Sequence, residues 1–199
     1  MSHPFKHLVT ITKHRHQVLR NAYHMGIFVF ALHHDISKLS PKGFIPSAKY
    51  YAGTYSPVYA QRLKEHYFSS ICQHHTRRNP HHWEYWTDFY MGYLLMKTMP
   101  YKWACEYVCD MLSASKVYNG KSFKPSITVN YFENHSSHYY MTKATREFIH
   151  WCLETYATVG WKGLKRKITK QKYDEITSRL PIVEVTSTLS PEGELPNVN

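Results

Sequence analysis

The sequence lacks the features that mark a membrane-spanning, secreted or nucleotide-loop protein. No apolar run reaches the roughly 18 residues that a membrane span requires. Charged and histidine side chains interrupt the N-terminus, where a signal peptide needs an apolar segment. Neither a glycine-rich phosphate loop nor a zinc-finger spacing occurs. The sequence therefore predicts a cytoplasmic chain without a membrane segment.

Cysteine is also scarce. The four cysteines form no CxxC pair, and Cys105 and Cys109 lie one helical turn apart. This pattern favours buried, reduced thiols over zinc ligands or disulfides.

Positive charge, histidine and aromatic side chains are abundant. Aromatic residues make up 16% of the 199 residues, which is typical of one packed domain. The net charge of +11, with 15 histidines besides, favours a negatively charged partner such as nucleic acid, a nucleotide, a phospholipid or another phosphorylated compound. The charge does not choose among these partners.

Hydrophobic spacing predicts an all-α fold, because no alternating Val/Ile run and no hairpin signal occur. Residues 1–180 are expected to form one helical domain, and residues 181–199 a loosely packed or disordered tail. Residues 121–139 are expected to be irregular. The predicted helices span residues 5–23, 27–33, 41–51, 57–75, 80–98, 101–118, 142–156 and 161–179.

The segment HHDISK, at residues 33–38, is the first candidate site. The adjacent His34 and Asp35 can both reach one cation from a single helix end, and nitrogen with oxygen suits borderline divalent metals. Lys38 lies about one turn further on and can stabilise an oxyanion. A lone His-Asp pair is weak evidence, so the other ligands decide the interpretation.

The first helix offers one such ligand. His14 continues the apolar series of Ile11 and Val18, whereas His16 is two residues off that series and points elsewhere. His14 is therefore expected to face inward, either as a ligand or as a core histidine with satisfied hydrogen bonds.

Asp110 lies in an otherwise apolar helix and needs a partner, because a buried carboxylate is costly. That partner is either a metal or a basic side chain such as Lys116 or Lys38.

Two histidine pairs bracket a basic loop, and Arg78 within it is either a solvated charge or a contact for a substrate phosphate. These histidines are either ligands of a second metal or polar caps of two helix ends: His74, His75, His81 and His82.

Several segments resemble a known family. The order His14, His34-Asp35, Asp110 resembles the HD-domain metal-dependent phosphohydrolases. The segments HRHQV, HHDISKLSP, AKYYAGTYSP, HHTRRNPHHWEYW and CDMLSASKVYNGK are similar to the uncharacterised HD-like family DUF5662 of bacteria and phages. Together they cover roughly residues 10–121.

The resemblance implies an HD-like helical bundle that holds one or two divalent ions of Mn, Fe, Zn, Co or Mg. Lys38 matches the lysine that follows many HD pairs. Asp35 is expected to bridge two metals. The metal ligands that the resemblance implies are His14, His34, Asp35 and Asp110, with His75 and His82 for a second ion.

The sequence thus predicts a metal-dependent phosphohydrolase that acts on a nucleotide or another small phosphorylated compound. Asp35, Lys38 and Arg78 are its predicted catalytic residues, the latter two stabilising charge on the phosphoryl oxygens. Two alternatives remain open: an HD-like di-iron oxygenase, and a non-enzymatic nucleic-acid-binding module whose histidines are structural. The oligomeric state is not predicted.

Overall fold

The computed structural model describes residues 3–187, which are mostly helical with one small sheet. The α-helices of these residues are α1 (Pro4–His24), α2 (Phe28–Ala31), α3 (Pro41–Lys49), α4 (Pro57–Lys64), α5 (Ser70–Thr76), α6 (Tyr101–Asn119), α7 (Pro125–Ser136), α8 (Lys143–Val159) and α9 (Arg166–Arg179). The strands β1 (Thr87–Tyr90), β2 (Tyr93–Lys97) and β3 (Val183–Ser187) pair antiparallel in the order β1-β2-β3. The all-α prediction is therefore right only in its broad outline.

The core lies between α1 and α6, with α8 on α6 and with α7 and α9 packed against α8. Val18 and Ala22 of α1 are fully buried, as their helical spacing predicts. They meet Val108 of α6 and Phe148 of α8 in the same apolar cluster. Within residues 3–187, no helix combines the length and the apolar character that crossing a membrane requires.

The predicted helix over residues 80–98 is wrong. The chain forms a short 3-10 helix, Trp83–Trp86, and then the hairpin of β1 and β2. Met91 and Gly92 form the turn with φ values of 47° and 80°, the left-handed pair that two-residue hairpins require. Leu94 and Met96 face the interior in strand alternation. A Met-Gly turn lacks the usual Asn-Gly signal, so the local sequence does not predict the hairpin.

The predicted loose tail is partly wrong as well. Residues 183–187 form β3, which pairs with β2 from Lys97↔Val183 to Tyr93↔Ser187. The N–H of Thr98 also donates to the carbonyl of Ile182 at 2.8 Å. This part of the tail is held by backbone hydrogen bonds, and residues 188–199 lie outside the described residues.

The predicted single helix over residues 57–75 is divided into α4 and α5. His66 and Tyr67 between them have positive φ values of 46° and 66°, which a helix cannot contain. The carboxamide of Gln61 holds the break, since its oxygen accepts from the Ser69 hydroxyl at 2.8 Å and from the Ile71 N–H at 3.1 Å. The break lets α5 pack against both α3 and α4.

Helix starts follow the sequence more closely. The side chains of Ser40 and Thr142 cap α3 and α8, which confirms both predicted N-termini. Residues 121–139, predicted to be irregular, contain α7, with Pro125 at its first turn and Phe132 buried. The last predicted helix starts later than expected, because a separate 3-10 turn at Gly160–Lys162 precedes α9.

Candidate metal centre

Asp35 lies at the centre of a cluster of histidines and carboxylates. It follows α2 with a left-handed φ of 55° and starts the 3-10 helix Ile36–Leu39. Its side chain is fully buried; the Oδ2 atom lies 2.6 Å from the Lys38 ammonium, and the Oδ1 atom has no hydrogen-bond partner among the described residues. A strained backbone and a buried carboxylate each carry an energetic cost, so Asp35 requires compensation by positive charge.

One group of candidate ligands faces the Oδ2 atom of Asp35. His34 Nε2 lies 3.3 Å from this oxygen. The Oδ1 atom of Asp110 lies 2.8 Å from His14 Nε2 and 3.5 Å from His34 Nε2. We call His14, His34, Asp35 and Asp110 site A; one ligand atom from each lies within 4.8 Å of all the others.

A second group faces the Oδ1 atom of the same carboxylate. The Nε2 atoms of His75 and His81 lie 3.3 Å and 3.5 Å from this oxygen. His82 Nε2 lies 2.7 Å from His75 Nε2. We call Asp35, His75, His81 and His82 site B, whose ligand atoms also lie within 4.8 Å of one another. The two oxygens of Asp35 thus face two different groups.

Long helices position site A. His14 comes from α1 and Asp110 from α6, and these two helices pack against each other. The turn after α2 carries the other two ligands, His34 and Asp35. The guanidinium of Arg15 holds this turn in place, because it donates to the carbonyl of His34 at 2.9 Å and to that of Leu32 at 3.2 Å. His16 is exposed and lies outside the site, as the helical spacing predicts.

A short and irregular segment positions site B. His75 is buried in the last turn of α5. His81 and His82 precede the 3-10 helix Trp83–Trp86. Asn79 ties this segment to the rest of the centre, because its amide nitrogen donates to the carbonyl of His75 and to the Ser37 hydroxyl, both at 2.7 Å.

Glu106 contacts one histidine of each site. Its Oε1 atom lies 2.8 Å from His34 Nδ1 and 3.2 Å from His81 Nδ1, and the residue is 2% exposed. A carboxylate can only accept, so both histidines donate through Nδ1–H and keep Nε2 for a cation. Against the effect of burial, hydrogen bonds from His34 and His81 hold the Glu106 pKa below its usual value, so the carboxylate is ionised.

Glu106 is not among the residues predicted from the sequence, and His81 is not favoured there over the neighbouring histidines. Glu106 lies one turn before Asp110 in an apolar helix, the same signal that marks Asp110 as a candidate. His81 belongs to the histidine-rich loop, but the resemblance favours only its neighbour His82. The structure brings both neighbours into site B.

The protonation states of His75 and His82 suit cation binding, whereas a cation would have to displace a proton from His34. Burial opposes the charged form of His34, but the carboxylates of Asp35, Asp110 and Glu106 outweigh burial and raise its pKa well above the usual value. Burial, with the charge of Lys38 as a smaller cause, lowers the pKa of His75 to about 3, and burial also lowers that of His82 well below its usual value. Both imidazoles are therefore neutral, which is the form that binds metals. Burial acts to raise the pKa values of Asp35 and Asp110, but neighbouring histidines hold both well below the usual value.

The donor atoms define the metals that fit. Both sites offer imidazole nitrogen and carboxylate oxygen, a mixture that suits Mn, Fe, Co or Zn better than Mg, which prefers an all-oxygen shell. No thiolate takes part, because all four cysteines are free and none belongs to either site. The Oδ1 atom of Asp35, which has no hydrogen-bond partner among the described residues, is the feature that a divalent cation would satisfy.

A cavity of about 240 Å³ adjoins the centre. Members of both sites reach its wall, since His14, Asp110, His75 and His82 all line it. Lys38 lies there too, with its Nζ atom 2.6 Å from Asp35 Oδ2. Burial opposes the charged form of this lysine, but the carboxylate of Asp35 outweighs that effect and raises the Lys38 pKa. The lysine is therefore a cation beside both sites.

Arg78 and His74 lie differently from what the sequence suggests. Arg78 is exposed, donates to the carbonyl of His74 at 3.2 Å and does not line the cavity, so its position offers no support for a catalytic role. His74 lines the cavity but belongs to neither site.

The chain matches one protein family. Residues 3–155 match DUF5662, a family of unknown function. The match spans more than half of the chain, which therefore belongs to this family. No curated protein and no solved structure matches the chain. The likeness to the wider HD-domain group stays a prediction.

Proposed function

We propose that this member of the DUF5662 family is an HD-type, metal-dependent phosphohydrolase that acts on a small phosphorylated compound. One observation carries the proposal: two groups of nitrogen and oxygen ligands share the buried carboxylate of Asp35. If two ions bind, Asp35 would be a ligand of both, since it belongs to both groups. The other ligands would be His14, His34 and Asp110 for one ion, and His75, His81 and His82 for the second.

The residues of the chain bind and orient the reacting groups. When bound, a pair of divalent ions supplies a water of lowered pKa and stabilises charge on a phosphoryl group. The ammonium group of Lys38 lies at the cavity wall beside both sites, where it can neutralise the charge that develops on the phosphoryl oxygens. Glu106 keeps the two histidine rings in the ligand orientation.

The size of the cavity favours a small substrate. Its volume of about 240 Å³ lies below the roughly 300–1,000 Å³ of pockets for drug-sized ligands. A polynucleotide could present only one group to such a space. The buried Oδ1 atom of Asp35, without a hydrogen-bond partner among the described residues, also argues against histidines that serve structure alone, so the nucleic-acid-binding alternative is the weaker one.

A di-iron oxygenase is the second candidate, and the three imidazoles of site B favour it, because imidazole suits iron as well as zinc. The two reactions differ in what they consume. The oxygenase takes up oxygen only when iron-loaded and releases no phosphate.

Hydrolysis of p-nitrophenyl phosphate and of its bis-ester tests the proposal. Protein loaded with Mn, Fe, Co or Zn in turn should release p-nitrophenol, and a chelator should abolish the release. Lys38→Met should lower the rate roughly 10²- to 10³-fold. The exposed Lys13 on α1 provides the control, and Lys13→Met should leave the rate unchanged. Oxygen uptake without phosphate release would overturn the hydrolase assignment.

A further inference from the structure

The face of α1 that carries His14 continues away from the metal centre along the cavity. His7, Ile11 and His14 all line the cavity, and their spacing places them on one helix face. Seven residues of helix rise about 10 Å, so His7 lies about 10 Å along the helix axis from the site A ligand. A substrate that lies along α1 therefore has its phosphoryl group at one end and His7 at the other.

His7 presents an unused hydrogen-bond acceptor at that far end. The hydroxyl of Ser47 donates to the carbonyl of Phe44 at 3.0 Å, so its oxygen accepts from His7 Nε2–H at 2.8 Å. The lone pair of the neutral ring is then on Nδ1. This atom is buried without a partner, in a residue that is only 4% exposed. A donor from a ligand in the cavity would satisfy this buried acceptor.

The wall between these two ends is mostly apolar, and the Thr10 and Tyr51 hydroxyls that also line the cavity bond to each other at 2.7 Å. Side chains from four helices contribute to it, namely Ile11 of α1, Val58 of α4, Ile71 of α5 and Val117 of α6. A ligand that is a polyol throughout, such as a sugar phosphate, would direct hydroxyl groups at these side chains on every side. A flat ring system presents apolar faces to the walls and polar groups only at its edge.

Positive charge is confined to the metal end. Of the described residues that line the cavity, Lys38 is the only lysine or arginine. Burial, with the nearby charge of Lys38 as a smaller cause, lowers the pKa of His7 to about 4, so this ring is neutral near neutral pH. A second or third phosphate inside the cavity would have no cation to pair with.

We infer that the cavity takes a phosphomonoester with a single phosphoryl group and a flat, uncharged body whose far edge donates a hydrogen bond to His7. Nucleoside monophosphates have this chemistry. The inference rests on the proposed function for the place of the phosphoryl group, and it adds His7 as a residue that determines specificity.

Calorimetric titration of the metal-loaded protein tests the inference without relying on turnover. The probes are the non-hydrolysable 5′-methylenephosphonates of adenosine, guanosine, cytidine and uridine, with inorganic phosphate and adenosine triphosphate for comparison. At least one phosphonate should bind about tenfold or more tightly than the triphosphate, because each hydrogen bond or unpaired charge contributes on that scale.

His7→Phe keeps a ring but removes the acceptor, and should weaken the best phosphonate about tenfold while leaving inorganic phosphate unchanged. His7→Gln retains an acceptor and should recover most of the affinity, which also guards against a folding defect in the first variant. His16→Phe, at an exposed position on the same helix, is the matched control.

Three results would overturn the inference: binding of none of the four phosphonates, triphosphate binding as tight as the best phosphonate, or an equal loss of phosphate and phosphonate in His7→Phe. The proposed hydrolase function is tested separately, by the hydrolysis of monophosphates. Phosphonate binding that depends on His7, without hydrolysis of any monophosphate, would retain the inference and remove the reaction.

Discussion

Site A and site B share Asp35, but different parts of the fold hold their remaining ligands. Those of site A come from α1, α6 and the turn after α2, and the packing of α1 on α6 keeps them together. Those of site B all lie between His75 and His82, in a segment tied down by the side chain of Asn79. Site A therefore depends on the whole helical core, whereas site B depends on one local segment.

The two sites also differ in charge. Site A combines two carboxylates with two imidazoles, and site B combines three imidazoles with the shared carboxylate. Manganese prefers oxygen ligands, whereas zinc binds imidazole well. We therefore expect Mn²⁺ to fill site A first and Zn²⁺ to bind both sites. The predictions below test this difference, beginning with the change that affects both sites.

Asp35→Asn should remove both ions, because it takes away the only carboxylate of site B and one of the two in site A. Asparagine tolerates the left-handed backbone at this position, so the fold should persist. Metal per chain after dialysis, measured by mass spectrometry, checks the loss, and circular dichroism checks the helices. Retention of one ion at unchanged affinity would show that Asp35 is not shared.

His14→Ala should remove the ion of site A and leave that of site B, so that the metal content falls from two ions to one. The loss of one of four ligands explains the effect. His16→Ala is the matched control, since that residue is exposed on the same helix. If His16→Ala loses the ion and His14→Ala keeps it, the assignment of site A is wrong.

His82→Ala should have the opposite selectivity, with loss at site B alone. Site A keeps all four of its ligands in this variant. Titration of metal-free protein with Mn²⁺ and then with Zn²⁺ measures both stoichiometry and order. A single ion per chain in the unaltered protein, unaffected by His82→Ala, would leave a one-metal centre.

Glu106→Gln should weaken both ions without abolishing either, because the residue hydrogen-bonds a histidine in each site and so orients it. Changes of this kind typically cost about 10- to 100-fold in affinity. Competition with a coloured chelator measures the two constants, and Glu175→Gln on the surface of α9 is the control. If the metal affinity of only one site changes, Glu106 does not orient ligands in both sites.

Arg78→Met should have the smallest effect, although this arginine lies within the segment that carries site B. Its guanidinium is exposed and, among the described contacts, bonds only to the carbonyl of His74 in the preceding helix α5. We expect metal content to be unchanged and the rate on p-nitrophenyl phosphate to stay within about twofold. A tenfold loss would restore the role in phosphate binding that the sequence suggests for Arg78.

The parts of the fold that were predicted correctly depend on local chemistry. The caps at Ser40 and Thr142, and the buried stripe of α1, follow from residues within one or two turns of each other. The sheet was missed because β2 is completed by β3, some 90 residues further along the chain. The alternation in β2 spans only five residues, and nothing in either segment indicates a partner at that separation.

The same division holds for the metal centre. Helical spacing by itself determined that His14, and not His16, faces the interior, and the cost of a buried carboxylate marked Asp110. Only the tertiary structure decided the membership of His81 and the role of Glu106. Adjacent histidines in an irregular loop have no period to separate them, and a carboxylate in a buried helix acquires its partner only when other elements pack against it.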